Sequence, residues 1–123
     1  MLSHPRKILL TGGTSGIGRH LVDRLCDAGH QLVVLGRSET ALASLKAERP
    51  TVAAYRCDLS NQQDVQDAAA LIWADHPDLS VLINNAGVQF TPQFHQAGFR
   101  FDSIGYETTV NFLAPVWLTA LSL

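Results

Sequence analysis

The stretch TGGTSGIG, Thr11 to Gly18, follows the apolar run KILL, Lys7 to Leu10, without a gap. Glycine loses more conformational freedom on folding than any other residue. Three glycines at spacing G-x-x-x-G-x-G therefore need a purpose at that point. KILLT, Lys7 to Thr11, is short, apolar and bounded by glycine, which predicts a buried strand. From Ile17, Leu21, Val22 and Leu25 recur at helical spacing, and Gly29 supplies a helix stop. The glycines thus lie at a strand-to-helix junction. Such a junction can turn bare backbone N–H groups toward an anion, with the helix dipole in support. Gly12 would permit the tight turn, Gly16 the close approach of backbone to a diphosphate, and Gly18 the packing of helix on sheet. Thr14 and Ser15 would add hydroxyl donors.

The same alternation continues along the chain. QLVVLG, Gln31 to Gly36, predicts a second buried strand, and Ser38 caps a helix that Pro50 ends. Val52 to Asp58 predicts a third strand. Ser60 is the expected cap of the next helix, with Asp64 and Asp67 in its early turns. Leu79 to Gly87 predicts a fourth strand with a polar exit. Val88 to Gly105 has no period and contains Pro92 and Gly98, so it is expected to be a loop. Tyr106 onward is helical, with Pro115 kinking or breaking it. β-α-β-α-β-α-β-α implies a Rossmann-type three-layer α/β/α domain on a parallel sheet.

Composition excludes several classes. The 123 residues carry a formal charge of −2, which suits neither a nucleic-acid nor a membrane-surface partner. No apolar run approaches the roughly 18 residues needed to span a bilayer. Cys26 and Cys57 have no framework spacing and lie in apolar runs, so a reducing cytoplasm is expected. The histidines His4, His20, His30, His76 and His95 show no ligand spacing; no metal site is expected, and all five are expected at the surface.

TGxxxGIG departs from the commonest dinucleotide fingerprint and resembles that of the short-chain dehydrogenase/reductase family. Three further pieces fall in the family's order: CDL with Asp58, NNAG from Asn84 to Gly87, and VN at Val110 and Asn111. The resemblance runs from about Lys7 to the last residue. It implies the strand order 3-2-1-4 and a nicotinamide cofactor on Gly12, Thr14, Ser15, Gly16, Ile17 and Gly18. It further implies Asp58 accepting from the adenine amino group beside the Leu59 backbone. Asn85, Ala86 and Gly87 would line the adenine-side ribose, and Asn111 would hold a proton-relay water. A third reading is an unrelated phosphate-binding α/β domain; the absence of a G-K-[ST] step after the glycines argues against a nucleotide triphosphatase.

The end of the second strand bears on which cofactor. An acid there binds a free ribose 2′-hydroxyl, whereas arginine accommodates a 2′-phosphate. This chain has Gly36 and then Arg37. A guanidinium pairs bidentately with phosphate, so NADP(H) is expected over NAD(H), with Arg19 as a possible reinforcement.

In the resembled family a tyrosine, with a lysine four residues on, does the acid–base chemistry. Four residues beyond Tyr55 and Tyr106 stand Leu59 and Val110, and the lysines are Lys7 and Lys46 alone. The expectation is therefore the cofactor-binding half, residues 1–123, of an enzyme acting on a small carbonyl or alcohol, inactive and marginally stable alone. Its full-length form could be a homo-oligomer. The alternative is a non-catalytic NADP(H)-binding or regulatory module. Phe90, Phe94, Phe99 and Phe101 are expected to anchor the loop after the fourth strand, rather than touch substrate.

Overall fold

The computed structural model describes residues 4–90, 94–98 and 100–123. Pro92 and Phe99, both named above, lie outside them. Strands β1 (Lys7–Thr11), β2 (Gln31–Gly36), β3 (Ala53–Arg56) and β4 (Val81–Ile83) form a parallel sheet in the order β3-β2-β1-β4. Helices α1 (Gly16–Asp27), α2 (Glu39–Glu48) and α3 (Gln62–Asp75) connect them. After β4 come α4 (Phe101–Thr108), a π-helical turn (Thr109–Leu113) and α5 (Ala114–Leu121).

Strand side chains alternate between two faces, and each face has its own core. Ile8, Leu10, Leu32 and Val34 pack with Val22, Leu25, Leu42 and Leu45 of α1 and α2. Leu9, Val33 and Leu35 pack with Val65, Ala68 and Ile72 of α3 and Leu118 of α5. Both faces of the central strands are covered, which is why KILL and QLVVL are continuous apolar runs rather than alternating ones. The expected α/β/α architecture and strand order are those of the structure.

Several boundaries differ from the sequence expectation. β3 pairs with β2 only as far as Gly36↔Arg56, so its ladder ends where β2 ends. β4 is three residues long, because beyond Ile83 the backbone turns to another partner: the N–H groups of Asn85 and Ala86 donate to the Thr11 hydroxyl. The cap of α3 is Asn61, whose side chain accepts from the Asp64 N–H at 3.0 Å, and not Ser60. Ser60 is engaged by Asp58 instead. Phe101 to Gly105, expected in a loop, is the start of α4, with Asp102 in its first turn. Pro115 stands at the start of α5, directly after the π-helical turn, so the helical path is distorted there without ending.

His30 is a second kind of correction. It is buried, 6% exposed, and its Nδ1 accepts the Arg6 backbone N–H at 3.0 Å. His76 is half-buried, within 3.0 Å of the Tyr55 hydroxyl. Among the described residues, β4 has a strand partner on one side only, and Phe112, Leu113, Val116 and Leu121 of the last helical stretch are exposed. No helix is long and apolar enough to cross a membrane, and no three metal-ligating side chains converge among the described residues.

Two groups make the fold sensitive to alkali. Burial, with Asp64 and Asp58 adding to it, pushes the Cys57 thiol up to about 12. Burial and then the bond to Asp75 push the Tyr55 phenol up to about 12. Both folded values exceed the unfolded ones, roughly 8.5 for a thiol and 10 for a phenol. The stabilisation is full below those unfolded values and is lost as pH rises toward the folded ones. The urea midpoint is expected to fall between pH 9 and pH 11, and Cys57→Ala to flatten the first part of that decline. A midpoint unchanged to pH 11 in the parent protein would contradict the burial assigned to both groups.

Candidate functional site

The C-terminal ends of the strands open onto a cleft of about 430 Å³. Open parallel sheets bind ligands at this edge, where the chain leaves one side of the sheet for the other. Gly12, Thr14, Ser15, Ile17 and Gly18 line it from the β1–α1 junction. Arg37 lines it from the end of β2, Asp58 and Leu59 from the segment after β3, and Asn85, Ala86 and Gly87 from the segment after β4. Eleven of the thirteen residues expected at the site thus share one cleft; Gly16 and Asn111 are not on its lining.

The geometry of the junction follows from its glycines. Gly12 has φ +74° and Gly16 φ +54°, a region that β-carbons disfavour. At Gly16 an added β-carbon would meet nothing within 4 Å, so the backbone there faces open space. At Gly18 it would lie 1.8 Å from the Gly12 carbonyl oxygen and 2.6 Å from Asn85 Nδ2. Gly18 therefore lets α1 close onto the turn itself. Gly13, not singled out in the sequence, has the sheet-packing role: a β-carbon there would be 2.8 Å from Val34 Cγ1.

The start of α1 differs from the other two crossover helices. Ser38 caps α2 and Asn61 caps α3, each side chain accepting from the N–H three residues on. Ser15 makes no such bond on α1, and no acidic residue stands in the first turn. Among the described residues no side chain accepts from the first-turn amides of α1, where the dipole has its positive end.

A staple holds the opposite wall. Thr11 is 2% exposed, and its hydroxyl accepts the N–H groups of Asn85 (3.1 Å) and Ala86 (3.0 Å). The Asn85 side-chain amide donates to the Thr11 and Gly12 carbonyls, both at 3.2 Å. Asn85 is thus committed to the scaffold of the site. The clue to Thr11 was a lone hydroxyl ending an apolar strand.

Asp58 accepts from the Ser60 N–H (3.0 Å) and the Ser60 hydroxyl (2.6 Å), both on Oδ1. The Ser60 hydroxyl is the main reason its carboxyl is held below the usual range, with Arg37 and Arg56 adding charge. Among the described residues no donor is bonded to Oδ2. Gly36 has no room for an acidic side chain without displacing Leu42, 3.1 Å from a β-carbon placed there. Arg19, a possible phosphate ligand on sequence grounds, is turned away: it pairs with Asp23 and Glu48 and ties α1 to α2. Asn111 lies in the π-helical turn, and both ends of its amide hold Val88, accepting from the N–H at 2.8 Å and donating to the carbonyl at 2.6 Å. Pro115 has no N–H to give the Asn111 carbonyl four residues before it. Tyr106, read from the sequence only as lacking a lysine partner, also lines the cleft.

Residues 6–123 match the family model described as short chain dehydrogenase. The chain is 39% identical over 116 residues to an uncharacterized oxidoreductase, DltE, of Bacillus subtilis, covering 93% of this chain and 45% of that protein. It is 32% identical to human epidermal retinol dehydrogenase 2, covering 95% of this chain and 41% of the relative. Among solved structures, a short-chain dehydrogenase from Sphingobium yanoikuyae in complex with NADPH superposes with a TM-score of 0.80 at 30% identity, over 94% of this chain and 46% of that one. The chain belongs to the short-chain dehydrogenase/reductase family of oxidoreductases. It spans less than half the length of these relatives.

Thr11→Val keeps the shape of the side chain and removes the acceptor of two backbone N–H groups. It is expected to cost about 2 kcal/mol of unfolding free energy, the usual penalty for stranding a buried donor. Chemical denaturation measures it; a loss below about 0.5 kcal/mol, the range of an inconsequential surface change, would mean that the staple does not hold the cleft.

Proposed function

We propose that residues 1–123 form the cofactor-binding half of an NADP(H)-dependent oxidoreductase acting on a small carbonyl compound or secondary alcohol. The observation that carries this reading is the uncapped, acid-free start of α1 beside the open backbone of Gly16. That surface suits a diphosphate bridge: amides that no side chain occupies, a favourable dipole, and space where any other residue would project a β-carbon. Ser15, Ile17 and Gly18 would hold the bridge. Asp58 Oδ2 would accept the adenine amino group beside Leu59, and Ala86 and Gly87 would pass along the ribose. Arg37, with Gly36 in place of an acid, favours the cofactor that carries a 2′-phosphate. The NADPH complex of the Sphingobium relative supports the same choice.

When bound, the nicotinamide supplies or accepts the hydride. The part of this chain nearest that chemistry is Asn111. Its side chain fixes Val88, and its carbonyl lacks the α-helical donor that Pro115 cannot give. These features support the expected role of Asn111 in holding a relay water. The tyrosine and lysine that such chemistry uses in the family have no counterpart within the 123 residues, so turnover would depend on residues beyond them. The same gap favours the second reading, a binding module without turnover.

Titration of NADPH and NADH against the protein tests the cofactor assignment. NADPH is expected to bind at least about tenfold more tightly, the worth of one charge-assisted phosphate contact, and Arg37→Ala to bring the two within about threefold. Equal affinities in the parent protein would overturn it.

A further inference from the structure

Arg37 and Tyr106 are 69 residues apart and both line the cleft, where Arg37 Nη1 donates to the Tyr106 hydroxyl at 2.5 Å. We infer that Tyr106 is a second determinant of 2′-phosphate recognition: its phenol oxygen holds the Arg37 guanidinium over the cleft, and its hydroxyl proton donates to the same anion. The inference rests on the cofactor reading above and adds a residue to it.

Arg19, Arg49, Arg56 and Arg100 are each matched to a carboxylate. Arg37, the basic residue that lines the cleft, has no ion pair among the described residues. Its hydrogen-bond partner is neutral, so the contact orients the guanidinium without cancelling its charge. Asp58 lies close enough to feel that charge. A guanidinium released from Tyr106 would be free to fall toward that carboxylate, and an internal pair would then compete with a phosphate.

The phenol is suited to sharing an anion. Its oxygen accepts from Arg37, and its one proton has no acceptor among the described residues. The ring is itself held. Phe90 meets it edge-on, with centroids 6.0 Å apart at 61°, and the Phe90 N–H donates to Glu107 Oε2 at 3.2 Å. The segment leaving β4 is thus tied to α4, the helix that carries Tyr106, by the ring contact and by this hydrogen bond. An arginine whose rotamer is fixed before binding loses less freedom on binding.

Tyr106→Phe tests this, since it keeps the ring against Phe90 and deletes only the oxygen. The probes are NADPH against NADH, and 2′-AMP against 5′-AMP, with the full chain. Affinity for NADPH and 2′-AMP is expected to fall about tenfold, while NADH and 5′-AMP stay within about twofold. In an Arg37→Ala background the same substitution should cost clearly less, because the two residues act as a unit. Equal losses for both members of each pair would overturn the inference, since a merely structural role moves them together; so would an unchanged NADPH preference, or full additivity with Arg37→Ala. A parent chain that binds no NADPH overturns the cofactor reading and this inference together. A parent preference that Arg37→Ala abolishes and Tyr106→Phe leaves intact overturns this inference alone.

Discussion

The amides at the start of α1 have no partner within the side chains of their own cap, and much of the cleft is arranged around that fact. A helix start usually satisfies its first N–H groups with a serine, asparagine or aspartate, as α2 and α3 do here. At α1 the chain forgoes that stabilisation. It also places two left-handed glycines beside the bare amides and lets α1 approach the Gly12 carbonyl to a distance only Gly18 tolerates. Such features weaken the turn in isolation and suit it to an anion.

What holds so permissive a turn in place is the segment after β4. Four hydrogen bonds cross the junction: the Asn85 and Ala86 N–H groups donate to the Thr11 hydroxyl, and the Asn85 side-chain amide donates to the Thr11 and Gly12 carbonyls. The same bonds explain why β4 stops at Ile83: its next amides serve the glycine turn rather than the sheet. Strand order matters here. Because β4 lies beside β1, the polar exit NNAG arrives next to TGG, and the two strand exits stabilise each other.

Much of this was legible in the sequence. Local signals carried it: continuous apolar strands, helical spacing in Leu21, Val22 and Leu25, Ser38 before α2, and glycines at a junction. The cap of α3 was misread as Ser60, because Asp58 engages that serine and leaves the cap to Asn61. The start of α4 was hidden because FRFDSIG lacks a clear apolar period, and the described residues bury none of α4. The remaining surprises are long-range. Thr11 acts through residues 74 and 75 positions away, and Tyr106 through one 69 away. His30 is buried by a backbone amide 24 residues off. No periodicity or spacing rule reports such contacts; they exist only once the sheet has formed.

The cofactor reading requires the first turn of α1 to grip a diphosphate. The most direct measurement is an amide ¹H–¹⁵N spectrum of the protein titrated with NADPH. Saturable shifts of the Gly16, Ile17 and Gly18 amides, with the Ala41 amide capped by Ser38 left in place, are the predicted result. Binding that leaves those three amides unmoved would contradict the account.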